Sequence, residues 1–145
     1  SILLKSPEEA VTMASLVEKE TSQSDERARV AAVFYNRIKK GMPLQTDPTV
    51  IFAITLGKLK LNRGLTYDDL KIDSPYNTYL VKGLPPGPIA NPGLAALQAA
   101  LHPISSKELY FVADGTGGHA FAATIDEHNK NVAAWRKIQK AQQTQ

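Results

Sequence analysis

The segment Glu18-Lys19-Glu20-Thr21 carries two carboxyl groups at the end of a helical pattern. A carboxyl sunk into the wall of a cleft holds its proton toward neutral pH, donates it as a general acid and takes one back as a base. At about 100° per residue the two side chains point about 160° apart, so they cannot form a close carboxylate pair. Each lies roughly 70–90° from the centre of the apolar face, on opposite flanks, while Lys19 points away from the core. Periodicity therefore leaves the choice between Glu18 and Glu20 open. Two surface glutamates near a helix end would show the same pattern.

Two further groups of residues have the chemistry to hold a ligand. Gly41-Met42-Pro43-Leu44-Gln45-Thr46-Asp47-Pro48-Thr49 places polar side chains between two helices. Thr46 or Asp47 can cap the helix that follows, and the same side chains can bind a ligand. Ser74-Pro75-Tyr76-Asn77-Thr78-Tyr79 leads into Gly83-Leu84-Pro85-Pro86-Gly87-Pro88-Ile89-Ala90-Asn91-Pro92-Gly93. Tyrosine faces stack on sugar rings, and asparagine amides match sugar hydroxyls and acetamido groups as donor and acceptor at once. Prolines would hold such a wall rigid. A proline-stiffened surface loop would have the same composition.

Other chemistries lack their residues. There is no cysteine, so disulfides, thiolate metal sites and a cysteine nucleophile are excluded. His102, His119 and His128 sit in no HExxH frame, and no metal site or cofactor is expected. His102 precedes Pro103 at an expected helix end, where capping is its plain role, and His119 beside Gly117-Gly118 is placed to line a cleft. Asp114-Gly115-Thr116-Gly117-Gly118 lacks the spacing of a phosphate-binding loop, and no GxSxG elbow occurs.

The elements that must position these groups read as helix-rich α+β. Ser6-Pro7-Glu8-Glu9 is a helix start with a capping box, and Ala10, Met13, Ala14 and Val17 continue it to about residue 20. Ser24-Asp25-Glu26 starts a second helix through Val30, Val33, Phe34 and Ile38, which Gly41 stops. Asp47-Pro48 opens a third, running to Gly57, and 66–70 reads as a short helix. The stretch 72–93 is rich in proline, glycine, tyrosine and asparagine, and is too long for a passive connection. A helix over 94–101, a strand over 109–112, a turn at 114–118 and a strand over 119–122 follow. A helix over 124–141, with Thr124 as cap and Glu127 at the reciprocal position, closes the chain.

The 145 residues fit one domain, 1–145, with 43% hydrophobic and 21% charged residues, the balance of an ordinary globular chain. The net charge of +3 is too mild to argue for nucleic acid; Lys39-Lys40 and the 58–63 segment read as solvated charges. No run of about 18 apolar residues and no signal-peptide pattern is present. The chain opens on an apolar triplet after Ser1, and it reads as a fragment of a longer protein whose anchor lies elsewhere.

Taken in order, several segments resemble one family. They are Ala14-Ser15-Leu16-Val17-Glu18-Lys19-Glu20-Thr21, Val33-Phe34-Tyr35-Asn36-Arg37, Leu44-Gln45-Thr46-Asp47-Pro48-Thr49-Val50, Tyr76-Asn77-Thr78-Tyr79, Gly83-Leu84-Pro85-Pro86-Gly87, Tyr110-Phe111-Val112-Ala113-Asp114-Gly115 and Gly118-His119-Ala120-Phe121. The order is that of MltG, the YceG-like endolytic murein transglycosylases, over about residues 10–136.

The resemblance implies a lysozyme-like catalytic domain with a small β-hairpin and a long proline-rich loop. It makes Glu20, followed by Thr21, the catalytic glutamate and leaves Glu18 a structural place on the helix flank. It implies non-hydrolytic cleavage of the MurNAc-β-1,4-GlcNAc bond of peptidoglycan to 1,6-anhydroMurNAc ends, terminating or trimming nascent strands. Gln45, Asp47, Tyr76, Asn77, Asn91 and His119 would line the groove. The implied partners are glycan strands and cell-wall synthesis enzymes, at the extracytoplasmic face of the bacterial membrane, with an anchor outside this chain. A hydrolytic muramidase and a non-catalytic peptidoglycan-binding or scaffold module are the alternatives.

Overall fold

In the computed structural model, which describes residues 4–143, α1 (Pro7–Glu20) starts where Ser6 accepts a hydrogen bond from the Glu9 N–H at 3.2 Å. The expected capping box closes only halfway, because the Glu9 carboxylate turns to the Lys5 N–H at 2.6 Å instead of the Ser6 N–H. Met13, Ala14, Leu16 and Val17 are fully buried, so α1 runs through the centre of the core. It packs against α2 (Arg27–Lys39), α3 (Asp47–Thr55) and α4 (Leu94–Leu101). The α4 face is Ala96, Ala99 and Ala100, small side chains that let helices approach closely, and Tyr35 of α2 donates its hydroxyl to the Ala100 carbonyl at 2.5 Å.

β1 (Tyr110–Ala113) and β2 (His119–Ala122) form an antiparallel hairpin in which Phe111 faces Phe121 and Ala113 faces His119. The turn between them needs left-handed backbone at Gly115 and Gly117, which glycine adopts without strain. α5 (Ile125–Gln143) lies over the hairpin, capped by Thr124, with His128 stacked on Tyr110. The architecture is α+β. Among the described residues no helix is long and apolar enough to cross a membrane. Both ends of the 1–145 range, including Ser1 and most of the apolar triplet, lie outside the described residues.

Several boundaries differ from the sequence reading. The 66–70 segment forms only a 3-10 turn, Asp69–Lys71, with Thr66 and Asp69 exchanging backbone and side-chain bonds in front of it. The hairpin strand starts at Tyr110, one residue late, although the Leu109 N–H still bonds the Ala122 carbonyl at 2.9 Å. α2 starts after Glu26 without a side-chain cap, because that carboxylate is used elsewhere.

The loop over 72–93 is stitched to the helices rather than draped over them. Ser15 of α1 accepts the Ile89 N–H at 3.1 Å, and Glu18 accepts the Gly93 N–H at 2.7 Å. Asn77, fully buried, donates to the Leu70 and Ile72 carbonyls at 2.9 Å each and accepts the Tyr79 N–H at 2.9 Å. Asn77→Ala strands three backbone partners, so it is expected to lower the unfolding free energy by about 1–3 kcal/mol, read as a drop in urea midpoint.

Candidate active site

Glu20 ends α1 at the point where three parts of the fold meet: that helix end, the start of α3 and the β-hairpin. A cleft of about 370 Å³ opens there, with Val33, Phe34, Leu44 and Phe111 among its apolar lining. A second cavity, of about 460 Å³, lies on the other side and is lined by Thr21, Ser22, Gly117 and Trp135. Glu20 and His119 line both, so one groove passes across them. Glu18 reaches only the second cavity, with its carboxylate held by Gly93. The half-turn between the two glutamates thus places one at mid-groove and turns the other to hold a loop.

Burial pushes the Glu20 carboxyl above the ordinary carboxylate range. The Thr46 hydroxyl donates to Glu20 Oε1 and opposes that rise, as does the His119 imidazole, while the charge of Asp47 adds to it. The net direction is upward because the apolar walls disfavour the ionised form more than one hydroxyl favours it. Such a group keeps its proton available to a substrate.

The Gln45-Thr46-Asp47 segment is held in place by Thr78. Its carbonyl accepts the Gln45 N–H at 3.2 Å and its hydroxyl accepts the Thr46 N–H at 3.0 Å. Gln45 adopts left-handed backbone, φ 51°, a conformation that costs a non-glycine residue about 1–3 kcal/mol and clusters at functional sites. Neither Thr46 nor Asp47 caps α3 with its side chain. Thr46 is turned to Glu20, and Asp47 accepts the Tyr79 hydroxyl at 2.5 Å. Burial, then the hydrogen bond and charge of Asp47, push the Tyr79 phenol far above its usual value, so it stays a donor.

Of the residues singled out in the sequence, Glu20, Gln45, Asp47 and His119 share the groove. Tyr76, Asn77 and Asn91 do not line it. The Tyr76 ring packs on Phe52 at 4.9 Å, every polar atom of Asn77 is bound to backbone, and Asn91 is exposed outside the groove. The run Tyr76-Asn77-Thr78-Tyr79 is therefore a support whose fourth member, Tyr79, is the one that reaches the groove. Sequence reasoning missed Tyr79, Arg37 and the use made of Glu26. Tyr79 and Arg37 lie inside quoted motifs, but nothing in those motifs says which members face the cleft. Among the described residues no group of three or more His, Cys, Asp or Glu is placed to hold a metal ion.

Comparison with known proteins agrees with the motif order. The model of the YceG-like family matches residues 2–134. An endolytic murein transglycosylase of Bacillus subtilis is 56% identical over 120 residues, which cover 83% of this chain and 32% of that protein. One of Streptococcus pneumoniae is 45% identical over 129 residues, covering 86% of this chain and 23% of that protein. The chain thus spans a third or less of the relatives' length. A crystal structure of a YceG-like protein from Listeria monocytogenes matches with a TM-score of 0.76 and 47% identity, over 85% of this chain and 38% of that one.

Proposed function

This chain belongs to the YceG-like family, and on that premise we propose that its groove cleaves the glycan strands of peptidoglycan without hydrolysis. Protonated Glu20 gives its proton to the glycosidic oxygen as the bond from muramyl C1 to the N-acetylglucosamine O4 breaks. The resulting carboxylate takes the proton of the muramyl C6 hydroxyl, and that oxygen bonds to C1. The products are an N-acetylglucosamine hydroxyl end and a 1,6-anhydromuramyl end, with Glu20 protonated again. No water is consumed.

The observation that carries this reading is the desolvated Glu20 at mid-groove, beside carboxylates that already have partners. A hydrolase of the usual kind needs a second carboxylate, set at a defined distance across the glycosidic bond, to activate water or attack the sugar. Here Asp47 is engaged by Tyr79 and Glu26 by His119. An intramolecular nucleophile removes the need for a second base, because the C6 hydroxyl is already held by the ring it attacks. Gln45, Asp47 and His119 take the substrate contacts in this reading; Tyr76 and Asn77 belong to the frame behind them, and Asn91 lies outside the groove. In this reading the domain works on murein at the extracytoplasmic face of the membrane, with wall-synthesis enzymes as further partners.

Digestion of purified peptidoglycan tests it: the wild-type chain should release anhydro-ended fragments, and an inert wild type would end the proposal. The pH profile adds a second check. Activity falls as pH rises through the point where Glu20 loses its proton. Thr46→Val removes a bond that favours the carboxylate, so the fall in kcat/KM should move to higher pH. Asp47→Asn removes a repelling charge, so it should move to lower pH. Shifts in the opposite directions would show that another group carries the proton.

A further inference from the structure

Glu26 sits at the start of α2, where a short polar side chain would ordinarily satisfy the free N–H groups of the helix. Its carboxylate instead crosses to the hairpin. Oε2 accepts the backbone N–H of His119 at 2.8 Å, and Oε1 lies 2.8 Å from His119 Nδ1. Oε1 also accepts the hydroxyl of Thr21, the residue after Glu20, at 3.3 Å. Both side chains of the pair are only 13% exposed. The approach needs Gly118, since a Cβ there would fall 2.7 Å from Glu26 Oε2.

This contact has a chemical consequence for the groove. An ionised carboxylate only accepts, so the ring nitrogen facing it carries the hydrogen. Phe111, edge-on to the imidazole at 5.2 Å, limits the ring from another side. Nε2 is left over. It has no hydrogen-bond partner among the described residues and is not among the polar atoms sealed from solvent, and the ring lines both cavities that meet at Glu20.

We propose that Glu26 is a positioning residue for the cleavage reaction: it fixes the His119 proton on Nδ1 and presents Nε2 to the sugar held against Glu20. This rests on the reading of the groove as a glycan-cleaving site. In the form that carries one hydrogen, on Nδ1, the imidazole accepts a hydrogen bond at Nε2 from a sugar hydroxyl or acetamido N–H, orienting the sugar that loses its leaving group. The opposite tautomer would turn a hydrogen toward the same substrate atom: an acetamido N–H would be repelled, and a hydroxyl would have to reverse its bond and accept. The arrangement follows the logic by which a buried carboxylate sets the tautomer of the active-site histidine in hydrolytic Ser-His-Asp sites.

Imidazole ¹⁵N shifts of labelled protein, recorded where the ring is neutral, read the tautomer without reference to activity. Wild type should show Nδ1–H. In Glu26→Gln the amide oxygen must serve the His119 backbone N–H, which leaves the NH₂ facing Nδ1. The ring should then switch to Nε2–H. By analogy with a mis-set catalytic tautomer and with lost orienting partners, kcat should fall about 100-fold with KM little changed. Adding Glu26→Gln to His119→Ala should cost nothing more, because Glu26 acts through His119. A wild type carrying Nε2–H, a switched tautomer with unchanged kcat, or additive losses would each overturn the proposal. If Glu26→Gln does not fold, the wild-type tautomer and His119→Ala decide: Nε2–H, or undiminished cleavage by His119→Ala, ends it. A wild type that shows Nδ1–H yet cleaves no glycan overturns the functional reading instead, and the role in catalysis with it.

Discussion

Glu20→Gln is expected to reduce glycan cleavage by about 10²–10⁴-fold, the range that a positioned acid–base group contributes. The same substitution should make the fold more stable at neutral pH. Burial raises the Glu20 carboxyl, so the folded state binds its proton more tightly than the unfolded chain does. The stability tied to that proton is complete below the unfolded value and is lost as pH rises through the folded one. Glutamine has nothing to ionise. Wild type and variant should therefore match in acid, with the variant gaining as pH rises, by about 1.4 kcal/mol for each unit the carboxyl is raised. Denaturation curves across pH check this. A variant destabilised at neutral pH would show that Glu20 supports the fold and is not held at a cost for function.

Arg37→Met is expected to have the largest effect on the frame. The Arg37 guanidinium donates to the Leu109 carbonyl at 2.7 Å and to the Pro43 carbonyl at 2.8 Å, and lies 5.1 Å from the centre of the Tyr110 ring. It ties α2 to the entry of β1 and to the segment that leads into Gln45. Methionine keeps the stem but loses both charge-assisted bonds, and one buried and one half-buried carbonyl lose partners. At about 1.5–3 kcal/mol for each bond to a charged group, a loss of at least about 3 kcal/mol follows. Both tied segments are cleft walls, so turnover should fall too. A variant with unchanged urea midpoint and unchanged turnover would remove Arg37 from the account.

What the sequence made readable follows from where local and global forces agree. α1 was readable because Ser6 and Pro7 mark its start and its buried face repeats with the helical period. α4 and the hairpin were readable because Gly93 precedes the first and His102-Pro103 ends it, and a glycine-rich turn joins the strands of the second. At Thr46, Asp47 and Glu26 the local rule failed. Each occupies a position whose ordinary task is to cap a helix, and each spends its side chain across the site on Glu20, Tyr79 or His119. No local pattern distinguishes a cap from a side chain diverted to a distant partner. Asn77 misled in the other direction. Its amide suits a sugar, but the same donor and acceptor set binds three backbone groups of a loop that has no ladder of its own.

The choice of Glu20 over Glu18 had the same character. Helix geometry places the two on opposite flanks and goes no further. In the folded chain the flank of Glu18 meets a loop N–H, and the flank of Glu20 meets the groove, Thr46 and apolar walls. The motif order singles out Glu20; periodicity cannot separate the two flanks, because what surrounds them is built from residues far along the chain.

The central claim is that one buried carboxyl suffices because the substrate supplies its own nucleophile. Mass spectrometry of the fragment ends after digestion of purified peptidoglycan tests it most directly. The wild-type chain should leave 1,6-anhydromuramyl ends and Glu20→Gln none. Reducing muramyl ends, which carry one added water, would contradict it.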